Sequence, residues 1–238
     1  MADAAPGRGP QAPFLEPATL GPVPRDATAT REALLRQAER LFARRGLYQV
    51  QVREIVQAAG QRNVSALNYH FGSREGVLDA ILSRHGDPTD VARGELLAVV
   101  GRDAMSRDLV AALVVPYAAH LATPEGRDYL RIVAQLTATF SNWRVPASGT
   151  GPCLVEILSI LEQRPSHLSE PLRRERIVEL IMLMTSAMSE RARVLEAEPD
   201  QEIDPDTFAA NLTDVLVGVL EAPLAGPLPQ LGADAAIG

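Results

Sequence analysis

From Thr30 onward apolar positions recur at helical spacing, in segments divided by Gly, Pro and polar turns. Leu34, Ala38, Leu41 and Phe42 share one face while Arg36, Arg40 and Arg44 fall elsewhere, which predicts a helix capped by Thr30 and ended by Gly46. Val52, Ile55, Val56 and Ala59 predict about two further turns stopped by Gly60. After "GQRN" comes the short "VSALNYHF", broken at Gly72; Ser73 then caps a helix whose stripe is Val77, Leu78, Ile81 and Leu82. Beyond Pro88 the predicted helices lengthen, over 89–102, 106–122, 124–141, 153–163, 169–196 and 205–221. Pro116 should kink the second of these by removing an amide. Thr123-Pro124 and Asp204-Pro205 each pair an N-cap with Pro at the first helical position.

The fold class expected is all-α: an N-terminal helix-turn-helix domain and a C-terminal helical bundle. Residues 28–86 hold the former, with two very short helices around a Gly-containing turn, and 89–222 the latter. Residues 1–27 read as a disordered N-terminal arm, with six Pro and three Gly before Asp26, and 223–238 as a disordered tail.

Within the helix-turn-helix, the second short helix must hold apolar groups inward and hydrogen-bonding groups toward the major groove. Val64, Leu67 and Phe71 are expected inward, leaving Ser65, Ala66, Asn68, Tyr69 and His70 outward. Asn can read adenine, Ser either strand and the Ala methyl a thymine methyl, while Tyr and His suit phosphate oxygens. Arg31, Arg53, Arg62 and Arg74 are phosphate candidates, and Asn63 is either a base contact or a cap.

Charge sharpens this picture. The net charge is −7, yet Arg25 to Gly86 contains ten Arg against six acidic residues, a balance of +4, so the remainder carries −11. A basic segment on an acidic body fits a DNA-binding domain joined to another unit. All 23 basic residues are Arg, hydrophobic residues make up 46% of the chain and aromatics 4%, a composition that favours helix over sheet. Cys153 is the sole cysteine and has no sequence neighbour that would activate it. His85 and His120 stand apart in sequence, so no metal site and no cofactor are expected. No nucleotide loop or nucleophile motif is present, and a non-enzyme is expected. Neither a leader pattern nor an apolar run of membrane-spanning length occurs, so a cytoplasmic protein with no membrane partner is expected.

"TREALLRQAERLFARRGLYQVQVREIVQAAG" followed by "LNYHFGSREGVLDAIL" resembles the N-terminal domain of the TetR family of bacterial transcriptional regulators. The resemblance rests on the ordered set Phe42, Gly46, Ile55, Ala58 to Gly60, Tyr69, His70, Phe71, Ser73, Arg74 and Glu75, and covers about residues 28–84. It implies a homodimer binding a palindromic double-stranded DNA operator, usually as a repressor, with a C-terminal domain that dimerises and holds a small-molecule effector. Two departures stand out: Gln51-Val52 replaces the Thr or Ser that commonly caps the second helix, and "GQRNV" is one residue longer than the usual turn.

In the C-terminal body Tyr117, His120, Tyr129, Phe140, Trp143, Met182 and Met184 could line an effector pocket, although each taken alone is ordinary core. The helices at 169–196 and 205–221 are expected to pair with their twofold mates. An alternative makes the body a protein-interaction scaffold without a ligand; a sealed core would favour it, and an apolar cavity of several hundred Å³ would favour an effector.

Overall fold

The computed structural model describes residues 27–137, 143–144, 149–198, 200, 202–224 and 226. Among these the chain forms nine α-helices and a short 3-10 turn, with no strand. Helices α1 (Ala27–Arg45), α2 (Val52–Ala58), α3 (Ser65–Phe71) and the start of α4 (Arg74–Val100) enclose an apolar centre of Leu34, Ala38, Phe42, Ile55, Leu67, Val77 and Ile81. The expected arm (1–27) and tail (223–238) lie almost wholly outside the described residues; Ala27 already belongs to α1.

The turns follow from local chemistry. Gly46 (φ +96°) ends α1 by bonding its amide to the Phe42 carbonyl, and Gly72 (φ +74°) separates α3 from α4. Such angles strain any residue carrying a Cβ. Ser73 Oγ then accepts the Gly76 amide at 3.1 Å, capping α4 as its sequence position predicts. Thr30 is not a cap: α1 begins three residues earlier and Thr30 lies inside it.

The second departure from the predicted elements is α4, which runs unbroken through Pro88, so that the helices expected on either side of it are one. Pro88 leaves the Arg84 carbonyl without its usual amide donor. The Thr89 hydroxyl donates to the neighbouring His85 carbonyl at 2.7 Å, and Gly86, Thr89, Asp90 and Arg93 are buried along the same stretch. Packing on this face outweighs one lost helical bond. At about 1.5 Å per residue, α4 extends roughly 40 Å from the N-terminal helices into the body.

The body comprises α5 (Ser106–Ala118), the 3-10 turn 119–122, α6 (Pro124–Thr137), α7 (Pro152–Gln163), α8 (Glu170–Ala197) and α9 (Pro205–Glu221). The α-helix of α5 stops two residues past Pro116, and the remainder of the predicted 106–122 segment is the tighter turn. Helix α6 lies between α1 on one side and α8 on the other; α5 packs on α9 and α4. Asp204 caps α9 by accepting the Asp206 and Thr207 amides at 3.0 and 2.9 Å, and Thr123 Oγ1 accepts the Gly126 amide at 3.0 Å. Both predicted caps are therefore formed. The described part of α6 ends at Thr137, so the residues expected to extend it to 141, Phe140 among them, lie outside the described residues. No described helix is long and apolar enough to cross a membrane.

Candidate nucleic-acid interface and effector cavity

Helix α3 presents two unlike faces because its side chains recur every 3.6 residues. Leu67 is fully buried beneath α1 and α4, while Ser65 and Asn68 are exposed and Tyr69 stands 81% exposed. Ala66 and His70 are half-buried at the flanks, the His70 ring meeting the Tyr69 ring edge-on at 5.0 Å. Val64, expected inward, is 39% exposed. Its backbone is already helical (φ −56°, ψ −28°), one residue before Ser65, which turns its methyls toward solvent on the same outer face as Asn68.

The turn into α3 is held by Asn63, whose Oδ1 accepts the Ser65 amide at 2.9 Å. That side chain caps the helix. Arg62 and Arg53 are exposed beside it in sequence and on α2. Arg31 is exposed on α1, its guanidinium 4.9 Å from the centre of the Phe71 ring. Arg74 differs: its Nε donates to the Val50 carbonyl at 3.1 Å, and its guanidinium lies over the Phe42 ring at 4.9 Å. It ties the start of α4 to the turn before α2.

At the head of α2, Glu54 supplies what Gln51 lacks as a cap. Its Oε2 accepts the Gln51 amide at 2.8 Å while Oε1 pairs with Arg45 at 2.7 Å. These two bonds hold the Glu54 carboxyl below its usual range. Tyr48, which the sequence reading passed over, is 81% exposed in the turn leading to α2. Its signal was an aromatic set in a Gly-containing turn rather than on an apolar stripe.

The body contains a cavity of about 360 Å³ bounded by α4, α5, α6, α7 and α8. Four of the seven pocket candidates line it: Tyr117, Tyr129, Trp143 and Met184. Met182 is 46% exposed on the outer side of α8 and does not. His120 stands behind the wall, tilted against the Tyr129 ring at 4.8 Å, and Phe140 is not among the described residues. Leu82, Val133, Leu136, Leu158 and Ile181 supply apolar wall, and Thr137 and Thr185 bond to each other at 3.0 Å. Arg93, which sequence reasoning missed because a lone Arg in a helix reads as surface, also lines the cavity and is only 4% exposed.

Two polar bridges join this body to α1. Gln135 on α6 accepts the Leu47 amide at 2.8 Å through Oε1 and donates through Nε2 to the Phe42 carbonyl at 3.2 Å. It thereby closes the end of α1 from outside the N-terminal helices. The second bridge joins His85 on α4 to buried Glu39 on α1, Nε2 to Oε1, at 2.5 Å. The His85 ring stacks on Tyr129 at 4.7 Å and lies 5.4 Å from His120. Thr89, whose hydroxyl proton points to the His85 carbonyl, is left to accept from His120 Nε2 at 2.7 Å. Burial foremost, then His85 and Arg93, push the His120 imidazole down to about 4. His85 and His120, separate in sequence, thus meet in space, yet the described residues contain no group of three or more potential metal ligands. The Cys153 thiol is pushed up by burial and by Asp90.

Residues 34–81 match the family model of bacterial regulatory proteins, tetR family. Among solved structures, the chain is similar to a bacterial regulatory protein in the tetR family from Rhodococcus RHA1, at 15% identity and a TM-score of 0.52, covering 81% of this chain and 97% of that one. A TetR-family transcriptional regulator from Bordetella parapertussis 12822 shares 16% identity over 79% of this chain and 93% of its own, with a TM-score of 0.55. NalD, the secondary repressor of the MexAB-OprM multidrug efflux pump in Pseudomonas aeruginosa, shares 19% identity over 84% of this chain and all of its own, with a TM-score of 0.50. At such identities the likeness is one of fold. No curated protein sequence gives a significant match.

Proposed function

We infer that this chain, a TetR-family regulator by its DNA-binding domain, is a repressor that binds a palindromic operator as a homodimer and is released by a small molecule. The observation that carries the reading is the division of α3: a buried Leu67 beneath an outer face of Ser65, Asn68 and an almost fully solvated Tyr69. A large exposed aromatic beside polar groups on a short, basic-flanked helix fits groove contact.

In the proposed complex Asn68 and Ser65 read base edges, with Ala66 and Val64 offering methyls to thymine. Tyr69 and His70 bind phosphate, and Arg31, Arg53 and Arg62 add sequence-independent attraction. Asn63 acts as a cap and Arg74 as a positioning residue for the α3–α4 corner, since both already have partners inside the domain. Two recognition helices would enter successive major grooves about 34 Å apart, a spacing set by the dimer.

Pairing of α8 and α9 with their twofold mates is supported by Leu172, Met182 and Leu183 on α8 and Val215 on α9, apolar side chains left exposed in the single chain. The apolar cavity favours effector control over a sealed scaffold. An effector that fits the cavity best in a state with the recognition helices wrongly spaced would lower operator affinity, and operator would lower effector affinity equally. Selection of bound fragments from random duplex DNA by the purified protein tests the core of this reading. A recovered palindrome is expected, and recovery of no shared sequence would refute it. Light scattering at micromolar concentration should give twice the chain mass.

A further inference from the structure

The cavity has one polar corner. Arg93 and Tyr117 both line it, the guanidinium carbon 6.0 Å from the centre of the Tyr117 ring, and both side chains are almost wholly buried. Among the described residues, Arg93 Nε and the Tyr117 hydroxyl oxygen have no hydrogen-bond partner, and Arg93 forms no ion pair. Asp90, one turn earlier on the same helix, is committed elsewhere: its two oxygens accept the Cys153 and Leu154 amides at 3.1 and 2.8 Å, capping α7. Burial lowers the Arg93 pKa, weighing against its unpartnered charge, and raises that of Tyr117, which keeps the hydroxyl a proton donor. A buried charge without a partner is costly, and two unsatisfied donors beside one apolar cavity are conspicuous.

Resting on the reading of this cavity as the effector site, we propose that the effector is an amphipathic organic monoanion: an apolar body ending in a single carboxylate, which Arg93 and the Tyr117 hydroxyl receive. Planar guanidinium matches planar carboxylate, and a charge-assisted bond away from water is worth more than a neutral one. One cation and one hydroxyl balance one negative charge; a dianion such as a phosphate monoester would bring a second, uncompensated charge among Leu82, Val133, Leu136 and Ile181. The remaining charged lining residue, Asp79, is exposed to solvent and so supports a rival cationic ligand only weakly; the experiment therefore includes a cation.

Trp143 is the only tryptophan in the chain and lines the cavity, so its fluorescence reports occupancy directly. Decanoate, 1-decanol and decylamine share a chain and differ in head charge, and each is titrated into the full-length protein, with gel shift on a selected operator in parallel. Decanoate should bind at least about tenfold more tightly than decanol, and decylamine more weakly than either. Arg93→Met should abolish the decanoate preference, leave decanol binding within about twofold, and not lower the thermal midpoint of the ligand-free protein. A merely structural arginine would lower that midpoint. Tyr117→Phe, which removes one oxygen, should reduce the decanoate preference by a few fold, and it serves as the deciding variant if Arg93→Met does not fold. Equal affinity for decanoate and decanol, or tightest binding of decylamine, would overturn the anion assignment while leaving the cavity as an effector site. No saturable change with any of the three would overturn both. Decanoate binding without operator release would keep the anion site and sink the gating reading.

Discussion

Tyr69 concentrates the argument for function in one side chain: apart from an edge contact with the His70 ring it packs on little, for 81% of its surface faces solvent. Removing it should therefore cost the fold almost nothing. Tyr69→Ala is expected to weaken operator binding at least tenfold with unchanged helicity and unchanged unfolding midpoint. Unaltered gel-shift affinity would remove α3 as the reading helix. His120 makes the opposite case, a residue whose surroundings matter more than its surface. Its imidazole titrates near 6.5 when unfolded but is pushed down to about 4 when folded. Between those values the unfolded chain binds the proton first, so stability is lost as pH falls from about 6.5 to about 4. Asp128, pushed up to about 6 chiefly by burial, works the other way: its folded form takes up a proton before the unfolded one, adding stability as pH falls through the same window. His120→Gln should therefore show a shallower decline in urea midpoint between pH 7 and pH 4.5 than the unaltered protein. Parallel declines would mean that His120 is not buried as a neutral donor to Thr89.

At the scale of elements, the helices with a clean apolar stripe and a turn signal at each end were legible in the chain, α2, α7, α8 and α9 to within a residue or two. Continuity through Pro88 was not, because a proline announces the bond it removes, whereas the buried face of Gly86, Thr89, Asp90 and Arg93 that compensates depends on distant helices. The same asymmetry governs the sites. Ser65, Asn68 and Tyr69 on the outer face of α3 follow from periodicity, whereas Val64 does not; Arg93 and Gln135 acquire their roles only when α4, α5 and α6 assemble around them. Gly72 shows how an element boundary sets the interface. Its backbone (φ +74°, ψ −46°) is closed to side chains with a Cβ, although no atom lies within 4 Å of where that Cβ would sit. The cost of Gly72→Ala is therefore backbone strain without a steric clash, roughly 1–3 kcal/mol. Urea denaturation should show that loss, and operator affinity should fall beyond it as the α3–α4 corner opens. A loss below a few tenths of a kcal/mol would mean that the corner does not need this geometry.

On the scale of the whole molecule, the question is how an occupant of the cavity could be felt at α3. Helix α4 touches both, since Leu78 and Leu82 line the cavity and its first turn follows α3; helix α6 is a second physical route, one that runs through discrete polar bonds. Its inner face, Tyr129, Val133, Leu136 and Thr137, lines the cavity, and Gln135 on the same helix holds the Leu47 amide and the Phe42 carbonyl at the end of α1. A displacement of α6 must either carry the end of α1 with it or break these two bonds, and Phe42 lies in the centre of the N-terminal core. Gln135→Met keeps the length of the side chain and removes both bonds. Effector affinity measured through Trp143 should stay within about twofold, since Gln135 does not line the cavity. The ratio of operator affinities with and without effector, commonly about 5- to 150-fold in coupled systems, should collapse toward one. Reciprocity supplies an independent check, because the effector's affinity in the variant should then be the same with operator present or absent. The Glu39–His85 bridge, reached through the Tyr129 ring, offers a parallel path. A residual ratio that disappears only when Glu39→Gln is added would divide the coupling between the two bridges, whereas full coupling in the double variant would place it in helix packing and outside both.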